Sequence, residues 1–187
     1  MPTIRLVAPA FLLLSFAPAF ADDPATKQQA MTPPAELDTL KYFVGKWQCN
    51  GLQTPPAAIS GKEFPTKEKL IYSFALDGFW LDLVGESEKT PGMPLPTVGR
   101  NQMHIGYDRL TTSFVAFSHN NRGGYALLSS KGWEGDKLMW SGSMSGLLKY
   151  DTRATITRTS AAEYRALFER MEGGKWMTSG TSTCKKK

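Results

Sequence analysis

Apolar positions recur along this chain at two different spacings. In TPPAELDTLKYFVG (32–45), Leu37, Leu40 and Val44 fall three and four residues apart, the stripe of a short helix. Thr32 is placed to cap it, Pro33 suits its first turn, and Gly45 ends it. Beyond Gly45 the spacing drops to two. Short alternating segments follow one another, each closed by Gly, Asn, Asp or Pro, and this predicts strands. They are KWQCNG (46–51), KEKLIYSFAL (67–76), FWLDLVGESE (79–88), RNQMHIGY (100–107), TTSFVAFSH (111–119), YALLSSKGWE (125–134), KLMWSGSM (137–144), LLKYDTRATITRT (147–159), EYRALFERM (163–171) and KWMTSGTSTC (175–184). In the second, Leu70, Tyr72, Phe74 and Leu76 share one face. Asp77-Gly78 predicts a tight turn after it. Residues 162–171 also carry a helical face (Tyr164, Leu167, Phe168, Met171). A strand is expected because EGG and a strand follow at once, as in a hairpin.

About ten antiparallel strands joined mostly by tight turns make an up-and-down meander, and closing such a sheet removes its edges. Closure pairs the first strand with the last. The chain has two cysteines, Cys49 in the first strand and Cys184 in the last. A Cys49–Cys184 disulfide across the closing seam is therefore expected. The fold class is all-β: an antiparallel barrel with a short N-terminal helix.

The redox setting agrees. Residues 1–21 have the form of a signal peptide: Arg5, the apolar run LVAPAFLLLSFAPAF, and the A-x-A site Ala19–Ala21. No later stretch is long and apolar enough for a membrane-spanning helix. A periplasmic or secreted location follows, where disulfides persist. Residues 22–31 are polar and Ala-rich and read as disordered, 32–184 as the barrel domain, and 185–187 as a basic, solvated tail. The formal net charge is +5, and three of the positive charges are Lys185, Lys186 and Lys187. The rest of the chain is near neutral and shows no basic stripe with interleaved aromatics, which argues against a nucleic-acid partner.

The residues LDTLKYFVGKWQC (37–49), LDGFWLDL (76–83) and HIGYD (104–108) resemble the bacterial family called domain of unknown function 1579. WEGDKLMWSG (133–142) fits that family's succession of strand, Gly-Asp turn and strand. The resemblance spans roughly residues 36–184. It implies a lipocalin-like barrel close to the ten-stranded barrel of nitrobindin, and leaves the activity open. Nitrobindin holds haem through a histidine late in its chain. No histidine follows His119 here, so that ligand does not carry over and no cofactor is assigned.

Candidate chemistry is sparse. His104 and His119 are the only histidines. They lie on consecutive strands whose turn brings them into one neighbourhood, but a catalytic zinc site needs a third protein ligand, such as Asp108. No G-x-S-x-G, phosphate loop or dinucleotide fingerprint is present. Glu86 and Glu88 read as solvated. No catalytic residue and no metal ligand is assigned. The aromatic residues point instead to a cavity, because a ten-stranded barrel is wider than its own side chains readily fill. Tyr72, Phe74, Phe114 and Trp140 are expected to line it, with Trp47 nearer the helix end. Arg153 is a polar candidate, facing either the cavity or solvent. The expected partner is a small apolar or amphipathic ligand. The alternative is an envelope interaction or inhibitor protein acting through the Pro-stiffened loop 88–99, and a third reading is an enzyme or haem protein using His104 and His119, which are polar candidates with Arg153.

Overall fold

The computed structural model describes residues 31–94 and 98–187. The signal-peptide segment 1–21 and all of 22–31 except Met31 lie outside them. A 3₁₀ helix, Ala35–Phe43, precedes eleven strands: β1 (Gly45–Gln53), β2 (Phe64–Ala75), β3 (Trp80–Ser87), β4 (Arg100–Asp108), β5 (Ser113–Asn120), β6 (Tyr125–Ser130), β7 (Trp133–Glu134), β8 (Lys137–Ser145), β9 (Tyr150–Ser160), β10 (Glu163–Glu172) and β11 (Lys175–Lys186). β7 is a two-residue spur on β8, and β6 pairs directly with β8. β1 pairs with β11. The other ten strands therefore close into an antiparallel up-and-down barrel. Residues 163–172 are strand β10.

Cys49 and Cys184 are direct partners across the closing seam and form the expected disulfide. Alternation decides which side chains go inside. On β3, Leu81, Leu83 and Gly85 are buried, while Val84 and Glu86, on the other face, are exposed. Where β6 meets β8, Gly142 lies so close to the Leu127 carbonyl that no side chain would fit.

The helix plugs one end of the barrel, and it differs from the periodicity reading. It starts at Ala35 after Pro34, without a side-chain cap, so Thr32 does not cap it and Pro33 precedes it. With three residues per turn rather than 3.6, its inward row is Leu37, Leu40 and Phe43, and Val44 is only half-buried. The plug is tied down by polar bonds. The Tyr42 hydroxyl donates to the Glu163 carbonyl at 2.8 Å, with that of Ser160 at 3.0 Å. Trp47 Nε1 donates to the Phe43 carbonyl at 2.6 Å and Trp133 Nε1 to that of Thr39 at 3.1 Å. Gly45, at φ 120°, turns the chain from helix into β1, a conformation open to glycine.

Two further differences are local. Asp77-Gly78 sits in a longer connection in which Leu76, Asp77 and Gly78 all have positive φ. Leu76 is exposed there, so the apolar face of β2 stops at Phe74. The C-terminal lysines do not form a separate tail: Lys185 and Lys186 continue β11, opposite Gln48 and Trp47. Lys186 Nζ donates to the Tyr42 carbonyl at the plugged end.

Candidate functional site

Above the plug the barrel encloses a cavity of about 250 Å³. Its floor is aromatic. Phe43 of the helix stacks on Tyr72 of β2 with ring centroids 5.3 Å apart, and Trp140 of β8 completes the floor. Its walls are aliphatic, with Leu70 of β2, Leu83 of β3, Met103 and Ile105 of β4, Leu128 of β6 and Ile156 of β9. Toward the end away from the helix, Asn101, Ser118, Thr152 and Ser182 add polar atoms, and half-exposed Phe168 stands there.

Of the aromatic residues expected to line the cavity, Tyr72 and Trp140 do so. Trp47, Phe74 and Phe114 do not. Trp47 is buried under the plug against Tyr164, 4.9 Å between centroids. Phe114 packs on Tyr107 and Trp140 at 5.2 and 6.4 Å. Phe74 is half-buried against the same core. These three are structural rings at or behind the floor.

The polar candidates lie on the outer face. His104 alternates with Met103 and Ile105, which point inward, so its imidazole points out. Its Nδ1 is 2.8 Å from Asp82 Oδ1, and its ring lies 6.0 Å from that of His119. Among the described residues no group of three His, Cys, Asp or Glu side chains is gathered to hold a metal ion. Arg153 is also outside, between the inward Thr152 and Ala154. It makes a two-pronged ion pair with Glu169, at 2.6 and 2.9 Å, and stacks 4.4 Å over Trp176. That pair holds the Glu169 carboxyl below its usual range.

Loop 88–99 begins against the start of β2. Thr90 Oγ1 donates to the Pro65 carbonyl, and Gly92 packs over buried Phe64. Met93 is half-buried, and Leu95, Pro96 and Thr97 lie outside the described residues.

A row of inward groups crosses the barrel at the seam disulfide, and its members Glu68, Ser87 and Tyr164 are not among the expected site residues. Adjacent-strand register sets Ser87, Glu68, Cys49, Cys184 and Tyr164 side by side. Ser87 Oγ donates to Glu68 Oε1 at 3.0 Å. The Tyr72 and Tyr164 phenols lie near each other, and Tyr164 Oη is 3.9 Å from Cys49 Sγ. Burial pushes Tyr72 up to about 12 and raises Tyr164 as well, so both phenols stay neutral. Burial likewise raises the Glu68 carboxyl above its ordinary value, against the lowering effect of the Ser87 hydrogen bond. Glu68 was legible in principle, since it continues the Leu70–Tyr72–Phe74 face by one step of two.

No family model matches the chain. No curated protein matches it either. Among solved structures, the chain is similar to Rv2717c from M. tuberculosis, known from a crystal structure: TM-score 0.63, 13% sequence identity, with 83% of this chain and 99% of that chain covered. At that identity the likeness shows a shared fold.

Proposed function

We propose that the protein is exported and holds a small apolar or amphipathic molecule inside its barrel. The observation that carries this reading is the cavity itself: about 250 Å³, aliphatic walls, an aromatic floor, and a helix plugging one end. Apolar walls with a few convergent polar groups are the usual make-up of a small-molecule site. The volume suits a ligand of about ten non-hydrogen atoms, scaled from a 150 Å³ cavity that holds benzene. The leader-like residues 1–21 and the seam disulfide support export. Among the described residues no helix is long and apolar enough to cross a membrane.

The test is a titration with the environment-sensitive fluorophore 1-aminonaphthalene. The expected result is saturable one-to-one binding that weakens at least tenfold in Ala126→Phe, which fills the cavity from β6. Circular dichroism checks that this variant is folded. Binding no tighter than to a cavity-free control protein, or binding that a folded Ala126→Phe leaves untouched, overturns the proposal.

A further inference from the structure

We infer that the cavity selects a ligand with a basic nitrogen at one end of an apolar body, and that Glu68 is the group that receives the nitrogen. This rests on the carrier reading above and specifies its ligand class.

The argument starts from the ionisable inventory of the cavity. Its lining contains one carboxylate, Glu68, and two phenols, Tyr72 and Tyr164, and no lysine, arginine or histidine. Glu68 points inward because it shares the face of Leu70 and Tyr72 on β2. Among the described residues its carboxylate has one hydrogen-bond partner, Ser87 Oγ at Oε1, and none of the ion pairs involves it. The flanking Lys67 and Lys69 point the other way, and Lys69 pairs on the outside with Glu88. Arg122 packs over Gly99 near Ser87, outside the cavity lining, and is engaged in contacts of its own. From β1, β11 and β10 the carboxylate faces a disulfide, which does not titrate, and the neutral Tyr164 hydroxyl. From β2 it faces Tyr72.

A carboxylate held in an apolar enclosure without a cation is costly to ionise, and a protonated amine arriving beside it supplies the missing partner. Its hydrogen bonds to such a charged donor are of the stronger class. The same carboxylate repels an anionic head, and no cation among the lining residues offsets it; buried Arg170, on the inward face beyond the lining, is held by Glu172. A fatty-acid-like ligand is therefore disfavoured by this lining. The apolar body of the amine would lie along Leu70, Leu83, Met103 and Leu128 toward the Trp140 floor. The two neutral phenols accept or donate hydrogen bonds without changing charge.

The experiment compares three eight-carbon probes by calorimetry at pH 8: octylamine, 1-octanol and octanoate. Octylamine is expected to bind at least tenfold more tightly than 1-octanol, and octanoate most weakly. In Glu68→Gln the amine should fall to the level of the alcohol while the alcohol is unchanged. That variant keeps size and hydrogen bonding, and circular dichroism verifies its fold. The preference for the amine should also grow as pH rises above the ordinary carboxylate range in the native protein, and stay flat in Glu68→Gln. Equal binding of amine and alcohol, tighter octanoate, or an amine preference that survives Glu68→Gln overturns the inference and leaves the carrier reading standing. Failure of all three probes and of 1-aminonaphthalene overturns both.

Discussion

Replacing both cysteines by alanine opens the seam covalently while leaving its hydrogen-bonded register in place. β1 and β11 still pair from Trp47↔Lys186 to Gln53↔Gly180. What changes most is the unfolded chain. The disulfide spans 135 residues, and closing a loop of that length restrains the denatured ensemble by about 5 kcal/mol at 25 °C. Truncating two buried sulfurs adds on the order of 1 kcal/mol to the loss. Residual structure in the unlinked denatured chain subtracts from it. The Cys49→Ala/Cys184→Ala protein is therefore expected to lose about 3–5 kcal/mol. For a domain of this size that corresponds to a fall in Tm of roughly 10–15 °C. Urea titration followed by tryptophan fluorescence measures both the loss and its origin. Because the unlinked chain exposes more surface on unfolding, the slope m should rise as the midpoint falls. A loss below about 1 kcal/mol with m unchanged would refute the chain-restraint argument, since every quantity in it depends on the long loop being held closed.

Leu40, fully buried on the inner row of the plug, should cost about 2–5 kcal/mol when cut to alanine, measured by urea denaturation; a loss under 1 kcal/mol would mean the helix does not pack as a plug. Arg153 lowers the carboxyl of Glu169, so that pair's contribution is present above the ordinary glutamate value of 4.5 and is lost as pH falls through the lower folded value. Arg153→Ala should therefore lose less stability on acidification than the native protein, and identical acid-side curves would contradict the pairing. Glu68 has the opposite sign: its folded value is raised, so its contribution is full below 4.5 and is lost as pH rises through the folded value. Relative to the native protein, Glu68→Gln should gain stability between pH 4 and pH 8, and a constant difference in urea midpoint across that range would argue against a half-buried carboxyl without a cation partner.

The barrel was legible because its determinants are local and repetitive. Period-two alternation, turn residues between segments, and two cysteines at opposite ends of the meander each point to closure, and they agree. The helix was legible in place but not in pitch. Leu40 lies three residues from both Leu37 and Phe43: at 3.6 residues per turn the apolar stripe continues to Val44, and at three it continues to Phe43. Cavity lining was less legible, since alternation tells inside from outside but not height along the barrel. Phe74 and Phe114 are inward like Tyr72 and Trp140, yet they sit level with the plug and are used as packing. Arg153 shows a related ambiguity: its strand carries threonine on both faces, with Thr152 inside and Thr155 and Thr157 outside, so composition alone left its side undecided.

Glu68 escaped for a different reason. In KEKLIYSFAL the apolar face announces itself at Leu70, and the charged Lys67, Glu68 and Lys69 before it read together as a solvated strand start. Strand geometry does not respect that grouping: the two lysines go out and the glutamate goes in. A residue that keeps the face but breaks the chemistry costs stability at neutral pH, on the sign worked out above. Such a break in an otherwise consistent face is where a functional group is expected, because packing alone would be better served by an apolar side chain. The same criterion discounts His104, His119 and Arg153. Each is chemically conspicuous in the sequence, and His104 and Arg153 have partners on the outer surface that account for them, Asp82 and Glu169. What separates Glu68 from them is that it faces into the cavity, with a single hydroxyl as its carboxylate's partner.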